Sequence, residues 1–119
     1  MTERRTVSST GGVKGVKAER VDLIPVEPLL ELARLYGKGA EKYDDHNWRR
    51  GYEWSKSYAS LMRHALAFWS GQDLDEHEPD CEPDCTTHTE RHHLASVMFH
   101  AAALIEFGQT HPEFDDRPR

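Results

Sequence analysis

Two cysteines, Cys81 and Cys85, are the whole of the chain's thiol content, and His88 and His92 follow them closely. The spacing is Cys-x3-Cys-x2-His-x3-His. Two thiolates and two imidazoles closing on one ion form the donor set of a structural zinc site. His77, just upstream, competes for the fourth position. Two other readings stand beside zinc: free thiols, or a disulfide between Cys81 and Cys85. The disulfide closes a very short loop, where the entropic gain is small, and it belongs to oxidising compartments. Eight histidines in 119 residues is a high count.

Carboxylates form a second set. Glu41 and Asp44 are three residues apart, hence on one face of a helix end. Asp73, Asp75 and Glu76 follow as a second acidic group. Oxygen ligands on neighbouring helices suit Mg²⁺ or Mn²⁺; a solvated acidic face is the plainer alternative. Basic and polar residues accompany them: Lys14, Lys17 and Arg20 at three-residue steps, then Asn47, Trp48 and Arg49, then Arg63 and His64. Cations beside an acidic metal site suit a polyphosphate. Trp48 either stacks on a base or anchors the core. His93 and His100 border an apolar stripe, where a histidine is usually a hydrogen-bonded core residue.

These residues need helices to hold them. Leu29, Leu32, Ala33, Tyr36, Ala40 and Tyr43 recur at helical steps and predict a helix over 25–43. Gly37 and Gly39 weaken its middle. Trp54, Tyr58, Leu61, Ala65 and Phe68 or Trp69 predict a second over 54–70, stopped by Gly71. Leu94, Val97, Met98, Ala101, Leu104 and Ile105 predict a third over 90–108, stopped by Gly108. No segment reads as a strand, so the fold class is all-α. Residues 1–12 read as a flexible arm, 13–108 as one helical domain with a Cys/His loop at 72–92, and 109–119 as a tail.

Composition bounds the function. Hydrophobic residues are 37% and charged residues 30%, so the apolar stripes outrun what three helices cover. A homo-oligomer, dimer or tetramer, is expected to complete the bundle. A net charge of −6 argues against bulk nucleic-acid binding. No apolar run approaches the ~20 residues of a membrane span, and the start lacks a signal-peptide stretch, so a cytoplasmic location is expected.

Three blocks carry a resemblance. Gly12-Val-Lys14-Gly-Val-Lys17-Ala-Glu-Arg20-Val-Asp-Leu23-Ile-Pro25 resembles the opening of a phage family named for dATP/dGTP diphosphohydrolase activity, which includes the MazZ proteins. Gly39-Ala-Glu41-Lys42-Tyr43-Asp44-Asp-His-Asn47-Trp48-Arg49-Arg-Gly51 is similar to its next block. So is Arg63-His64 followed by Gly71-Gln-Asp-Leu-Asp75, and His93-Leu94 resembles its later His-Leu helix. That family is similar in turn to the all-α MazG-like pyrophosphohydrolases. The resemblance implies cleavage of purine (d)NTPs to (d)NMP and pyrophosphate, in a bacterial host cytoplasm if the chain is phage-encoded. It implies Glu41, Asp44 and Asp75 as catalytic metal ligands for Mg²⁺ or Mn²⁺, with Asp73 or Glu76 compensating for Gln72, which stands where a carboxylate is usual. Lys14, Lys17, Arg20, Asn47, Trp48, Arg49, Arg63 and His64 then contact the nucleotide. The Cys/His loop is an insertion, read as a zinc-stapled turn held by Cys81, Cys85, His88 and His92 or His77. If no carboxylate replaces Gln72, the alternative is a protein that sequesters a nucleotide without hydrolysing it.

Overall fold

The computed structural model describes residues 4–119. Three helices dominate it: α1 over Val26–Lys42, α2 over Trp54–Trp69 and α3 over His93–Thr110. Each lies within a few residues of its predicted span. Gly37 and Gly39 do not break α1, and α3 runs two residues past Gly108. Gly71 does sit just beyond α2, with φ at +108°.

The all-α expectation needs one correction. Strands β1 (Arg4–Val7) and β2 (Val13–Val16) pair antiparallel, with Arg4 opposite Val16 and Val7 opposite Val13. The Ser8–Gly12 stretch is their turn: the Ser8 N–H bonds the Gly12 carbonyl at 2.7 Å, and Gly11 takes a φ of +90°. Small residues that read as an unstructured arm are the residues a tight turn requires. The hairpin spans the boundary expected at residue 12. It lies outside the helical core.

Both α1 and α2 pack on α3. The core is small: Leu35, Ala95, Ala103 and Phe107 are the buried apolar residues. The buried face of α3 is not the predicted stripe. It carries His93, Ala95, Ser96, Ala103 and Phe107, while Leu94, Val97, Met98, Ala101 and Leu104 are only half-buried and Ile105 is exposed. In α2 the buried residue is Ser57, and Tyr58 and Trp69 point to solvent. In α1 Leu35, absent from the predicted stripe, is the buried residue, and Leu29 and Tyr43 are exposed. The helices are as expected, but turned so that polar side chains face inward.

Two helix ends are completed from far along the chain. Glu53 precedes α2 without capping it by its side chain. Asp116 does so instead, accepting the Ser55 N–H at 2.9 Å, while Arg117 lies over the Trp54 ring at 4.8 Å. At α3, Glu31 of α1 accepts the His92 N–H at 2.9 Å and lies 3.1 Å from Arg91 Nε. An N-terminal carboxylate satisfies an orphan donor and the helix dipole together. For Glu31, the His92 N–H first, and then Arg91 and Arg34, holds the carboxyl below its ordinary range.

The loop between α1 and α2 is fixed at Gly51. Its φ is +87°, and a Cβ there would stand 2.7 Å from the His111 ring, whose Nε2 lies 2.8 Å from the Arg49 carbonyl. Gly51→Ala should therefore lower stability by more than ~1 kcal/mol, visible as a lower midpoint in urea denaturation with an unchanged slope.

Candidate functional site

Two cavities share a wall. The first, about 680 Å³, is aromatic, with Tyr36 of α1, Trp48 and Tyr52 of the following loop and Phe99 of α3 around it, and Asp44, Asn47 and Arg49 at its side. Trp48 is packed edge-on to Phe99 at 6.1 Å and tilted against Phe107 at 5.9 Å. It is thus a core anchor whose ring also bounds open space. The second cavity, about 570 Å³, is bordered mostly by polar and charged residues. Lys38, Glu41 and Lys42 come from α1, His64 from α2, Ser96 from α3, and the stretch from Cys85 to Glu90 from the loop before α3. Gly39, Tyr43, Phe99 and His100 border both. Each volume suits a small organic ligand or part of one.

Histidines line the helix seam. His64 Nδ1 and His93 Nδ1 are 2.8 Å apart, so one donates and the other accepts. Burial, more than the opposing pull of Asp75, lowers the His64 pKa, and His93 and Arg63 push the same way. His100 Nδ1 lies 3.1 Å from the Ser57 hydroxyl, which is 3.0 Å from the Tyr52 hydroxyl. Burial, with His64 and Arg63 nearby, lowers the His100 pKa to about 4. His64 and His100 are thus biased toward their neutral forms.

Asp75 is the buried carboxylate of the loop between α2 and α3. Its Oδ2 accepts the Thr89 N–H at 2.9 Å, its carbonyl accepts the Glu90 N–H at 2.8 Å, and its own N–H bonds the Arg91 carbonyl at 2.9 Å. Leu74 and His92 bridge alongside. Asp75 thus closes the base of the Cys/His loop rather than lining either cavity.

Above that base, His77, Cys81, Cys85 and His88 converge, with ligand atoms all within 4.8 Å of one another. His88 Nδ1 stands 3.6 Å from Cys81 Sγ and 3.5 Å from Cys85 Sγ. The Thr87 N–H and then His88 bonded to Cys85 bring its pKa down to about 6, whereas burial raises that of Cys81. His92 is not in the group: its Nδ1 accepts the Leu94 N–H at 3.0 Å as the cap of α3. The fourth position expected of His92 or His77 is therefore filled by His77. A pattern in the sequence marks the cysteines: Glu78-Pro-Asp-Cys81 is repeated at once as Glu82-Pro-Asp-Cys85. Each copy makes the same turn, with the cysteine N–H returning to the glutamate carbonyl at 3.0 Å, as proline at the second turn position favours.

Among the described residues, the tetrad is the one group of three or more His, Cys, Asp or Glu that converges in this way. The dATP/dGTP diphosphohydrolase N-terminal family matches residues 8–117, nearly the whole chain. The chain belongs to this family. No curated protein and no solved structure matches it.

The expected site residues fall unevenly around the two cavities. Asn47, Trp48, Arg49 and Asp44 border the first, and Glu41 and His64 the second. Glu41 and Asp44 thus separate into different cavities, and Asp44 pairs with Arg50 at 3.6 Å. Lys14, Lys17, Arg20, Arg63, Asp73 and Glu76 border neither cavity. Arg20 is engaged by Asp22 in a two-pronged pair at 2.9 and 2.7 Å. Among the described residues, the expected carboxylates do not converge as a group of three or more. Tyr36, Tyr52, Ser96 and Phe99 were not among the expected site residues, and no local signal in the sequence picks them out.

The depressed pKa of His100 makes a pH prediction. Its stabilising contribution, that of a neutral buried imidazole, is complete above the ordinary pKa of 6.5. It is lost as pH falls from there toward about 4, where the unfolded chain binds a proton that the folded one refuses. Tm should fall over this window, and His100→Asn should flatten the fall, as followed by circular dichroism melts from pH 7 to pH 4.

Proposed function

We propose that this chain hydrolyses purine deoxynucleoside triphosphates to the monophosphate and pyrophosphate. The observation that carries the reading is the shared wall between an aromatic cavity and a polar one. A base stacks among Tyr36, Trp48, Tyr52 and Phe99, and the phosphates pass Gly39 and Tyr43 into the second cavity. There Lys38 and Lys42 supply positive charge. Arg49 stays beside the nucleoside, and the more distant Lys14, Lys17 and Arg20 steer the anion as it approaches.

An acidic chain meets a polyanion here, so a divalent cation belongs to the substrate complex. Mg²⁺ commonly takes one or two carboxylates and completes its shell from substrate phosphates and water. Glu41 and Glu90 are the carboxylates of the phosphate cavity; Lys38 and His77 engage Glu90, and Mg²⁺ or Mn²⁺ held at Glu41 offsets phosphate charge. Asp44, Asp73, Asp75 and Glu76 are not positioned to share that ion with it in the single chain. His64 is neutral and hydrogen-bonded to His93, so it is suited to take the proton from water attacking the α-phosphorus. The water oxygen then stays on the monophosphate and pyrophosphate leaves. The Cys/His tetrad takes Zn²⁺ as a structural ion.

The same reading makes the chain a homo-oligomer. Trp69 is 84% and Ile105 75% exposed, and Val26, Leu29 and Leu30 leave one side of α1 uncovered. Sedimentation equilibrium at micromolar concentration should give a mass of two or four chains; a single chain's mass would refute this point. No described helix is long and apolar enough to cross a membrane.

Purified protein with dATP or dGTP and Mg²⁺ or Mn²⁺ should release pyrophosphate, and ¹⁸O from labelled water should appear in the monophosphate. Glu41→Gln should abolish turnover with little change in Tm. His64→Gln should lower kcat by about 100-fold or more, as loss of a general base does. The second reading is binding without turnover, favoured by the dispersed carboxylates and the amide of Gln72. Nucleotide bound at full occupancy with no pyrophosphate released would select it.

A further inference from the structure

The Cys/His loop is stapled where its own sequence offers nothing to hold it. From Asp75 to Glu90 there is no aliphatic side chain and no Phe, Tyr or Trp. Between Glu76 and Glu90 lie six carboxylates, Glu76, Glu78, Asp80, Glu82, Asp84 and Glu90, which repel one another. A loop of this composition does not collapse by burial. Yet it forms one wall of the polar cavity, through Cys85, Thr86, Thr87, His88, Thr89 and Glu90.

Two edges of the tetrad match those of a tetrahedral zinc centre. With Zn–S near 2.3 Å and Zn–N near 2.0–2.1 Å, the sulfur-to-nitrogen edge of the tetrahedron is about 3.5 Å. His88 Nδ1 lies 3.5 and 3.6 Å from the two sulfurs. Each cysteine is presented by its own Glu-Pro-Asp-Cys turn, and the Glu78 N–H donates to Cys81 Sγ at 3.2 Å. His77 Nε2 is 3.3 Å from Glu90 Oε1, and Lys38 and Lys42 reach the loop from α1, at Glu90 Oε1 (3.4 Å) and the Thr86 carbonyl (3.2 Å).

The backbone hold on Asp75 begins at the residue directly after the tetrad member His88. The Thr89 N–H donates to the Asp75 carboxylate, and the Glu90 N–H to its carbonyl. Glu90 takes a φ of +61° to make this turn. Cys85 and His88 are at once tetrad members and cavity wall. We propose that one Zn²⁺ bound by His77, Cys81, Cys85 and His88 seats this wall of the phosphate cavity and holds Asp75 through Thr89 and Glu90. The metal site follows from the tetrad alone; only its consequence for a phosphate-bearing ligand rests on the hydrolase reading. Asp75 on this view is a positioning residue, which ties the loop's base to α3.

The test uses the full chain and no nucleotide. Protein prepared without chelator should carry one zinc per chain by elemental analysis. Co²⁺ in its place should give the intense visible absorption of a tetrahedral thiolate centre. Cys81→Ser and Cys85→Ser should lose both signals and His92→Gln should keep them. Removing zinc from the wild-type chain with a chelator should speed amide exchange at Thr89 and Glu90 by about tenfold or more, with the α1–α3 helical signal kept, and re-added Zn²⁺ but not Mg²⁺ should reverse it. Failure to bind zinc at micromolar concentration, or zinc retained in the Cys81→Ser/Cys85→Ser double variant, overturns the site. Zinc that binds and leaves with no change at Thr89 and Glu90 overturns the link to Asp75. A lack of dATP or dGTP turnover bears on the hydrolase reading alone, because none of these measurements requires substrate.

Discussion

The inward face of α3 is polar, and the other elements are arranged around that constraint. His93 and Ser96 are buried beside Ala95, Ala103 and Phe107, and His100 is half-buried near them. Buried polar side chains are costly unless partnered, so α2 brings His64 to His93 and Ser57 to His100. Tyr52 joins at Ser57 from the preceding loop. The seam between α2 and α3 is thus a row of satisfied hydrogen bonds where a simple bundle would have leucines. Burial also lowers the pKa of His64 and of His100, which favours proton-accepting imidazoles over phosphate-binding cations.

Because the helix seam is polar, apolar cohesion is sparse, and the chain is tied together by contacts between distant segments. Glu31 of α1 holds the start of α3. Asp116 holds the start of α2, and His111 holds the loop after α1 through the Arg49 carbonyl. Asp75 holds the end of the Cys/His loop. Three of these four ties are carboxylates accepting backbone N–H groups, strong bonds in which one partner is charged. In a chain with many acidic residues, several of the carboxylates therefore serve as fold connectors.

The two cavities follow from how α1 leaves the others. α1 rests on α3 and its C-terminal turn, with Gly39, Ala40 and Tyr43, stands over the gap. Its glycines put no side chain into that space. On one side the gap is closed by the aromatic loop from Trp48 to Tyr52, on the other by the Cys/His loop. This division separates Glu41, in the last turn of α1, from Asp44, which lies two residues past the end of the helix. On the proposed reading the aromatic side takes the base and the other side the phosphates.

Local pattern was enough for the three helices, the loops between them and the cluster of cysteines and histidines, because helical periodicity and ligand spacing act over a few residues. It did not show the hairpin, whose turn glycines also suit an unstructured arm. Periodicity reported where apolar residues recur on α3, not which face is covered; only packing against α1 and α2 decided that His93 and Ser96 turn inward and Ile105 outward. The choice of His77 over His92 was likewise tertiary. Spacing allows either histidine, but His92 is drawn off as the cap of α3, its N–H held by Glu31 from 61 residues away. Sequence spacing therefore determined which residue types can meet, and the competition among long-range hydrogen bonds decided which of them do.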